Sequence, residues 1–172
     1  MILVDKNDVQ IGTMEKMEAH KRGLLHRAFS IFIFKSNGEF LLQQRAPNKY
    51  HNGGLWTNTC CSHPLPGENV LKAAYRRLSE EMGFTTSLSP AFNFIYNATF
   101  DNGLIEHEFD HVFTGIYDGE IKINKTEVSD YCYKNLRDIT DSLQTHPQKY
   151  TEWFKIAFLQ IKMFHENSFN KL

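Results

Sequence analysis

Cysteine is scarce in these 172 residues: three occur, two of them adjacent at Cys60 and Cys61. That is a poor disulfide framework, and it points to a reducing, cytoplasmic setting. Charge imbalance is missing too. A net charge of −1 leaves no electrostatic footprint for nucleic acid or for a membrane surface. No run approaches the ~20 apolar residues that a membrane-crossing helix needs. The opening run, Met1 to Gln10, has no signal-peptide or transit character. Repeats, low-complexity tracts and linkers are also missing, and the length fits one domain spanning 1–172. Apolar residues, by contrast, are plentiful. At 41% of the chain, with 14 Phe, they suffice for a sizeable core.

The chain alternates short apolar runs with turn signals. Ile2 to Val4 reads as a strand, and Thr13 to His20 has helix-forming composition. Ala28 to Phe34 and Phe40 to Arg45 read as strands joined by a Ser36-Asn37-Gly38 turn. Ala46 to Gly54 is a loop carrying Lys49 and His51. Phe92, Phe94, Tyr96 and Ala98 alternate as a strand, and Asp101-Asn102-Gly103 turns it back into Leu104 to Thr114. There the period of two puts Glu106, Glu108 and Asp110 on one face, and His107 and His111 on the other. Ile121 to Ile123 and Tyr131 to Lys134 read as further strands. Leu136 to Leu143 and Thr151 to Asn167 read as helices, the latter with Phe154, Ala157, Phe158, Ile161 and Phe164 as its apolar stripe. This order of elements predicts an α+β sandwich.

The densest chemistry lies between Trp56 and Phe84. A polar run with Cys60, Cys61 and His63 leads into a Pro-Leu-Pro-Gly turn. A helix follows, with Glu68 in its first turn and Gly83 as a left-handed stop. Leu71, Ala74, Leu78 and Met82 recur at helical spacing and form its core face. Glu80 is four residues from Arg76 and reads as its surface partner. Glu81 leans toward the core, where a carboxylate needs a metal or a cation such as Arg77.

This stretch resembles a degenerate Nudix box, G-x5-E-x7-R-E-U-x-E-E-x-G-U, at Ser62, Glu68, Arg76, Arg77, Leu78, Glu80, Glu81, Gly83 and Phe84. Ser62 replaces the opening Gly, and Arg77 replaces the first Glu of R-E, which argues against ordinary pyrophosphate hydrolysis. The T-N-T-C-C-S-H-P run before the box resembles the type I isopentenyl diphosphate isomerases of the same superfamily, and the likeness runs from Ile2 to Phe158. It implies a Nudix-like mixed sheet sandwiched between helices. The implied activity is interconversion of isopentenyl and dimethylallyl diphosphate. A Nudix-type pyrophosphohydrolase is the alternative, and a structural metal site on Cys60, Cys61 and His63 is a further one.

From the residues alone, Glu106 and Glu108 are either a solvated strand face or a pair that needs a cation. His20, His26 and His63 flank element ends, where side chains can converge on a divalent transition metal. The resemblance selects His20, His26, His63, Glu106 and Glu108 as ligands of one Mn²⁺ or Zn²⁺. Likewise it implies a Mg²⁺ held with the diphosphate through Glu81, diphosphate contacts from Arg45, Lys49 and Arg77, and no flavin. Cys61, rather than Cys60, matches the catalytic thiol of the W-T-N-x-x-C-x-H-P frame. Its polar surroundings, near a cation and a helix N-terminus, are read as favouring thiolate. Tyr96 and Trp153 match aromatic site residues, though each reads equally as core. Cys61 and Glu108 form the expected acid/base pair, with Tyr96 beside Glu108 and Trp153 facing a carbocation. The expected partner is a small diphosphate, with neither nucleic acid nor membrane.

Overall fold

Nine residues, His26–Phe34, form a strand (β3) buried along nearly its whole length. Such a strand must be covered on both faces. The computed structural model, which describes residues 1–49, 52–100 and 102–169, supplies that cover. Before it come β1 (Ile2–Val4), β2 (Gln10–Thr13) and helix α1 (Lys16–Arg22). After it come β4 (Phe40–Arg45), β5 (Trp56–Thr57), β6 (Cys60–Ser62) and α2 (Val70–Met82). The long hairpin β7 (Ser89–Thr99) and β8 (Ile105–Ile116) follows, and then β9 (Val128–Lys134). Helices α3 (Leu136–Thr145) and α4 (Glu152–Phe169) end the chain. His51 and Asp101 lie outside the described residues.

All nine strands join one sheet. β3 runs parallel to β8 and antiparallel to β1, β4 and β6, so the sheet is mixed. Alternate side chains of β3 then meet different helices. Phe29, Ile31 and Ile33 pack with Ala73, Ala74, Leu78 and Met82 of α2. Phe32 and Phe34 pack with Phe154, Ala157, Phe158 and Ile161 of α4. Each fully buried Phe or Ile stabilises the sandwich by about 1.5–3 kcal/mol. The expected α+β sandwich, a mixed sheet between helices, is therefore the observed fold. Among the described residues no helix is long and apolar enough to cross a membrane.

Several local expectations change. Thr13 belongs to β2, because Gln10–Thr13 pairs with β1; α1 starts only at Lys16. Glu68 precedes α2 rather than entering it. Asn69 caps the helix, accepting from Leu71 N and Lys72 N, which a short side chain does well. The Glu68 carboxylate instead clamps Arg76 through two bonds of 2.8 Å. Ile121 to Ile123 forms no strand. Its backbone binds the end of α2, Lys122 N donating to Met82 O at 3.2 Å, and its apolar side chains pack beneath that helix. Cys60 to Ser62 is a strand, not a polar loop. The preceding Thr57, Asn58 and Thr59 are fully buried. Asn58 donates to Ile31 O and Cys60 O, and Thr59 bridges Leu41 O and Ile33 N. Polar side chains there replace missing ladder bonds, so this hydrophilic sequence sits in the core at low cost.

Candidate active site and metal centre

β3 decides where the site forms. Its first residue, His26, pairs with Glu108 of β8 and stands next to β1, while Ser30 pairs with Cys61 of β6. The β6 and β8 contributions thus reach one sheet face from opposite edges of β3.

Three imidazoles gather there. Ring centroids of His20 and His26 are 5.1 Å apart, of His26 and His63 5.1 Å, and of His20 and His63 6.0 Å. His20 Nδ1 lies 2.7 Å from the carbonyl of Lys16, and His26 Nδ1 2.7 Å from that of Leu24. Donation from Nδ1 to a carbonyl assigns the tautomer and leaves each Nε2 as the ligating atom. Glu108 Oε1 sits 2.8 Å from His63 Nε2 and 3.4 Å from His26 Nε2. One donor atom from each of His20, His26, His63 and Glu108 lies within 4.8 Å of the others. Three nitrogens and one carboxylate oxygen fit a divalent metal ion. Glu106 is not among these four, although it lies on the same strand face. The Tyr96 hydroxyl, opposite Glu108 in the hairpin register, is 2.7 Å from Glu108 Oε2 and 3.1 Å from Glu106 Oε2.

Burial sets the protonation states. It lowers His20, and it lowers His63 to about 3, so the imidazole is the neutral form a metal requires. The thiolate expected at Cys61 is not favoured by this strand. Burial pushes the thiol well up, and Arg45 offsets only part of that.

Cys61, Glu106, Glu108, Tyr96 and Trp153 line a cavity of about 120 Å³. The same cavity has a basic wall made by Lys16, Arg45, Lys49 and Arg77. Arg45 also lies over the Trp153 ring, 5.1 Å from its centroid. Trp153 is both core and cavity wall, buried to 3% exposure among α4 aromatics. Cys60 points the other way, into the core under α2, so it shares no metal site with Cys61 and His63. The remaining described histidines lie elsewhere; His107 binds Gly23 O, and His165 binds Gly38 O.

Glu81 enters the same cavity from α2. It accepts from Arg77 Nη2 at 2.6 Å and from Gln43 Nε2 at 3.0 Å. Glu80, one residue earlier, is exposed and pairs with Arg76 and Arg77. A carboxylate set among basic side chains is a common protein contribution to a Mg²⁺ site, with phosphate oxygens supplying most of the other ligands.

Sequence reasoning missed some of the lining. Lys16 had a readable signal: it stands four residues before His20, on the same face of α1. Gln43 was legible only as a buried polar residue in a strand. Glu127, at the end of the β8–β9 loop, had no periodicity to expose it, yet it contacts both Lys49 and Arg77.

The NUDIX domain family matches residues 24–154. Among solved structures, DR0079 from Deinococcus radiodurans superposes with a TM-score of 0.70 at 16% identity, covering 84% of this chain and 88% of that one. The match over residues 24–154 places the chain in the Nudix family, and the superposition shows the same fold. It is 52% identical over 161 residues to the isopentenyl-diphosphate Delta-isomerase of Pectobacterium atrosepticum, covering 94% of this chain and 90% of that one. To isopentenyl-diphosphate Delta-isomerase 2 of Photorhabdus laumondii it is 52% identical over 155 residues, covering 90% and 88%. Within the superfamily, the chain belongs to the isopentenyl-diphosphate Delta-isomerases.

Proposed function

We infer that the chain interconverts isopentenyl diphosphate and dimethylallyl diphosphate by moving a proton on and off carbon. The observation that carries this is Glu108: its carboxylate is shared by His63, His26 and Tyr96 in a cavity that Cys61 lines from the opposite strand. The reaction adds a proton at C4 of the alkene, leaves a tertiary cation at C3, and removes a proton from C2. It needs acid/base groups on two sides of the carbon skeleton. Cys61 on β6 and Glu108 on β8 are that pair in our reading. The Tyr96 hydroxyl holds Glu108 in place and carries a proton beside it. The Trp153 ring face stabilises the cation.

The basic wall takes the diphosphate. Arg45, Lys49 and Arg77 bind its oxygens, and Lys16 adds a further ammonium. Glu81 is the carboxylate for a Mg²⁺ ion that arrives on the diphosphate. His20, His26, His63 and Glu108 hold a Mn²⁺ or Zn²⁺ ion, with Glu106 completing the set. Such an ion supplies fixed positive charge that tunes the acidity of Glu108. The substrate is a free small molecule, and the enzyme works in the cytoplasm. Hydrolysis is disfavoured because Arg77 replaces the expected carboxylate and is engaged by Glu80, Glu81 and Glu127.

Mass spectrometry of the product in D₂O tests this reading. With Mg²⁺, isopentenyl diphosphate is expected to become dimethylallyl diphosphate with deuterium in a methyl group, and no phosphate is released. Phosphate release without deuterium on carbon would restore the hydrolase.

A further inference from the structure

The basic wall already contains an anion. Glu127 Oε2 accepts from Lys49 Nζ and, at 3.2 Å, from Arg77 Nη2. The same Arg77 nitrogen donates to Glu81 at 2.6 Å, so one guanidinium nitrogen bridges two carboxylates. Glu127 is held there by its backbone. Its carbonyl accepts from Ala46 N at 3.0 Å and its amide donates to Asn124 O, while Asn124 N donates to Glu81 O at 2.9 Å. The loop is thus pinned to α2 on one side and to the segment after β4 on the other. The Glu127 side chain remains about one-quarter exposed, facing the cavity. Burial raises its pKa, but Lys49 and Arg77 outweigh that and keep it ionised.

We propose that Glu127 determines ligand selection at this wall, by making diphosphate binding depend on Mg²⁺. This rests on the placement of the diphosphate at Lys49 and Arg77. A bare diphosphate must take those cations from Glu127 and then lie against two carboxylates, Glu127 and Glu81. A diphosphate carrying Mg²⁺ meets both carboxylates with a cation between. The wall therefore rejects metal-free diphosphate and inorganic anions that lack a divalent ion. Neutralising Glu127 removes that rejection, whereas a residue that merely held Lys49 and Arg77 in place would be needed equally with and without metal.

Calorimetric titration of the full-length protein with inorganic pyrophosphate separates these cases. Wild type is expected to bind more tightly with Mg²⁺ than in chelator. In chelator, Glu127→Gln is expected to bind about tenfold more tightly than wild type, the equivalent of about 1.4 kcal/mol of relieved repulsion. Its Mg²⁺ dependence then shrinks accordingly, and Glu127→Asp, which keeps the charge, retains the wild-type ratio. Weaker binding by Glu127→Gln in both media, at an unchanged ratio, would overturn the proposal and leave the diphosphate placement standing. Wild type that binds pyrophosphate in neither medium, or Arg77→Met that binds it as wild type does, would remove the placement and the proposal together.

Discussion

Cys60 and Cys61 differ by one position in the chain and by one face of β6. Cys60 is fully buried against α2, whereas Cys61 lines the cavity. Substituting each by Ala therefore separates stability from chemistry. Cys61→Ala is expected to abolish isomerisation while leaving Tm within a degree or two, roughly the spread of a neutral site. Cys60→Ala is expected to retain turnover and lose about 1 kcal/mol through the small cavity it opens. Thermal melts beside a turnover assay read both, and equal loss of activity from the two would refute the assignment. The neighbouring acids divide by the same reasoning. Helical phase alone separated buried Glu81 from exposed Glu80, because 3.6 residues per turn fixes which side each faces.

α2 acts through its ends as much as its face. At Gly83 the chain adopts φ 73°, and a Cβ there would sit 2.3 Å from the Lys122 carbonyl. That approach lets Lys122 N reach Met82 O and Asn124 N reach Glu81 O. These bonds carry the loop that presents Glu127. Gly83→Ala is expected to cost at least about 2 kcal/mol, from left-handed strain plus the clash. For a chain of this size that lowers Tm by roughly 5 °C or more. It should also raise KM for the diphosphate more than it lowers kcat, since the loop shifts against the basic wall. An unchanged melting curve would show that the backbone yields there without cost.

Across the whole molecule, the donor cluster links α1, β3, the residue that follows β6, and β8, drawn from His20 to Glu108. An ion bound only by the folded arrangement stabilises it by mass action, about 4 kcal/mol at a thousand times Kd. Removing the ion with chelator is expected to lower Tm by roughly 10 °C. His63→Ala should lose the ion, as read by elemental analysis, and its Tm should no longer respond to chelator. A wild-type Tm indifferent to chelator would argue against a metal at this cluster.

By itself the sequence determined the local geometry. Strand alternation put Glu106 and Glu108 on one side, the turn residues placed the hairpins, and the helical repeat marked the core face of α2. The box and the thiol frame marked the chemistry. The strand faces, the turns and the core face are short-range consequences of backbone period and side-chain type, whereas the box and the thiol frame carried meaning only through their resemblance to a family. Tertiary structure decided which of these faces meet. Parallel pairing of β3 with β8 brings His26 opposite Glu108, and antiparallel pairing with β6 turns Cys61 inward. Register of that kind depends on packing across the whole sheet, so no local pattern encodes it. The same holds for Glu127, which sits in an irregular loop and reaches Lys49 and Arg77 only because Ala46 and Glu81 anchor that loop.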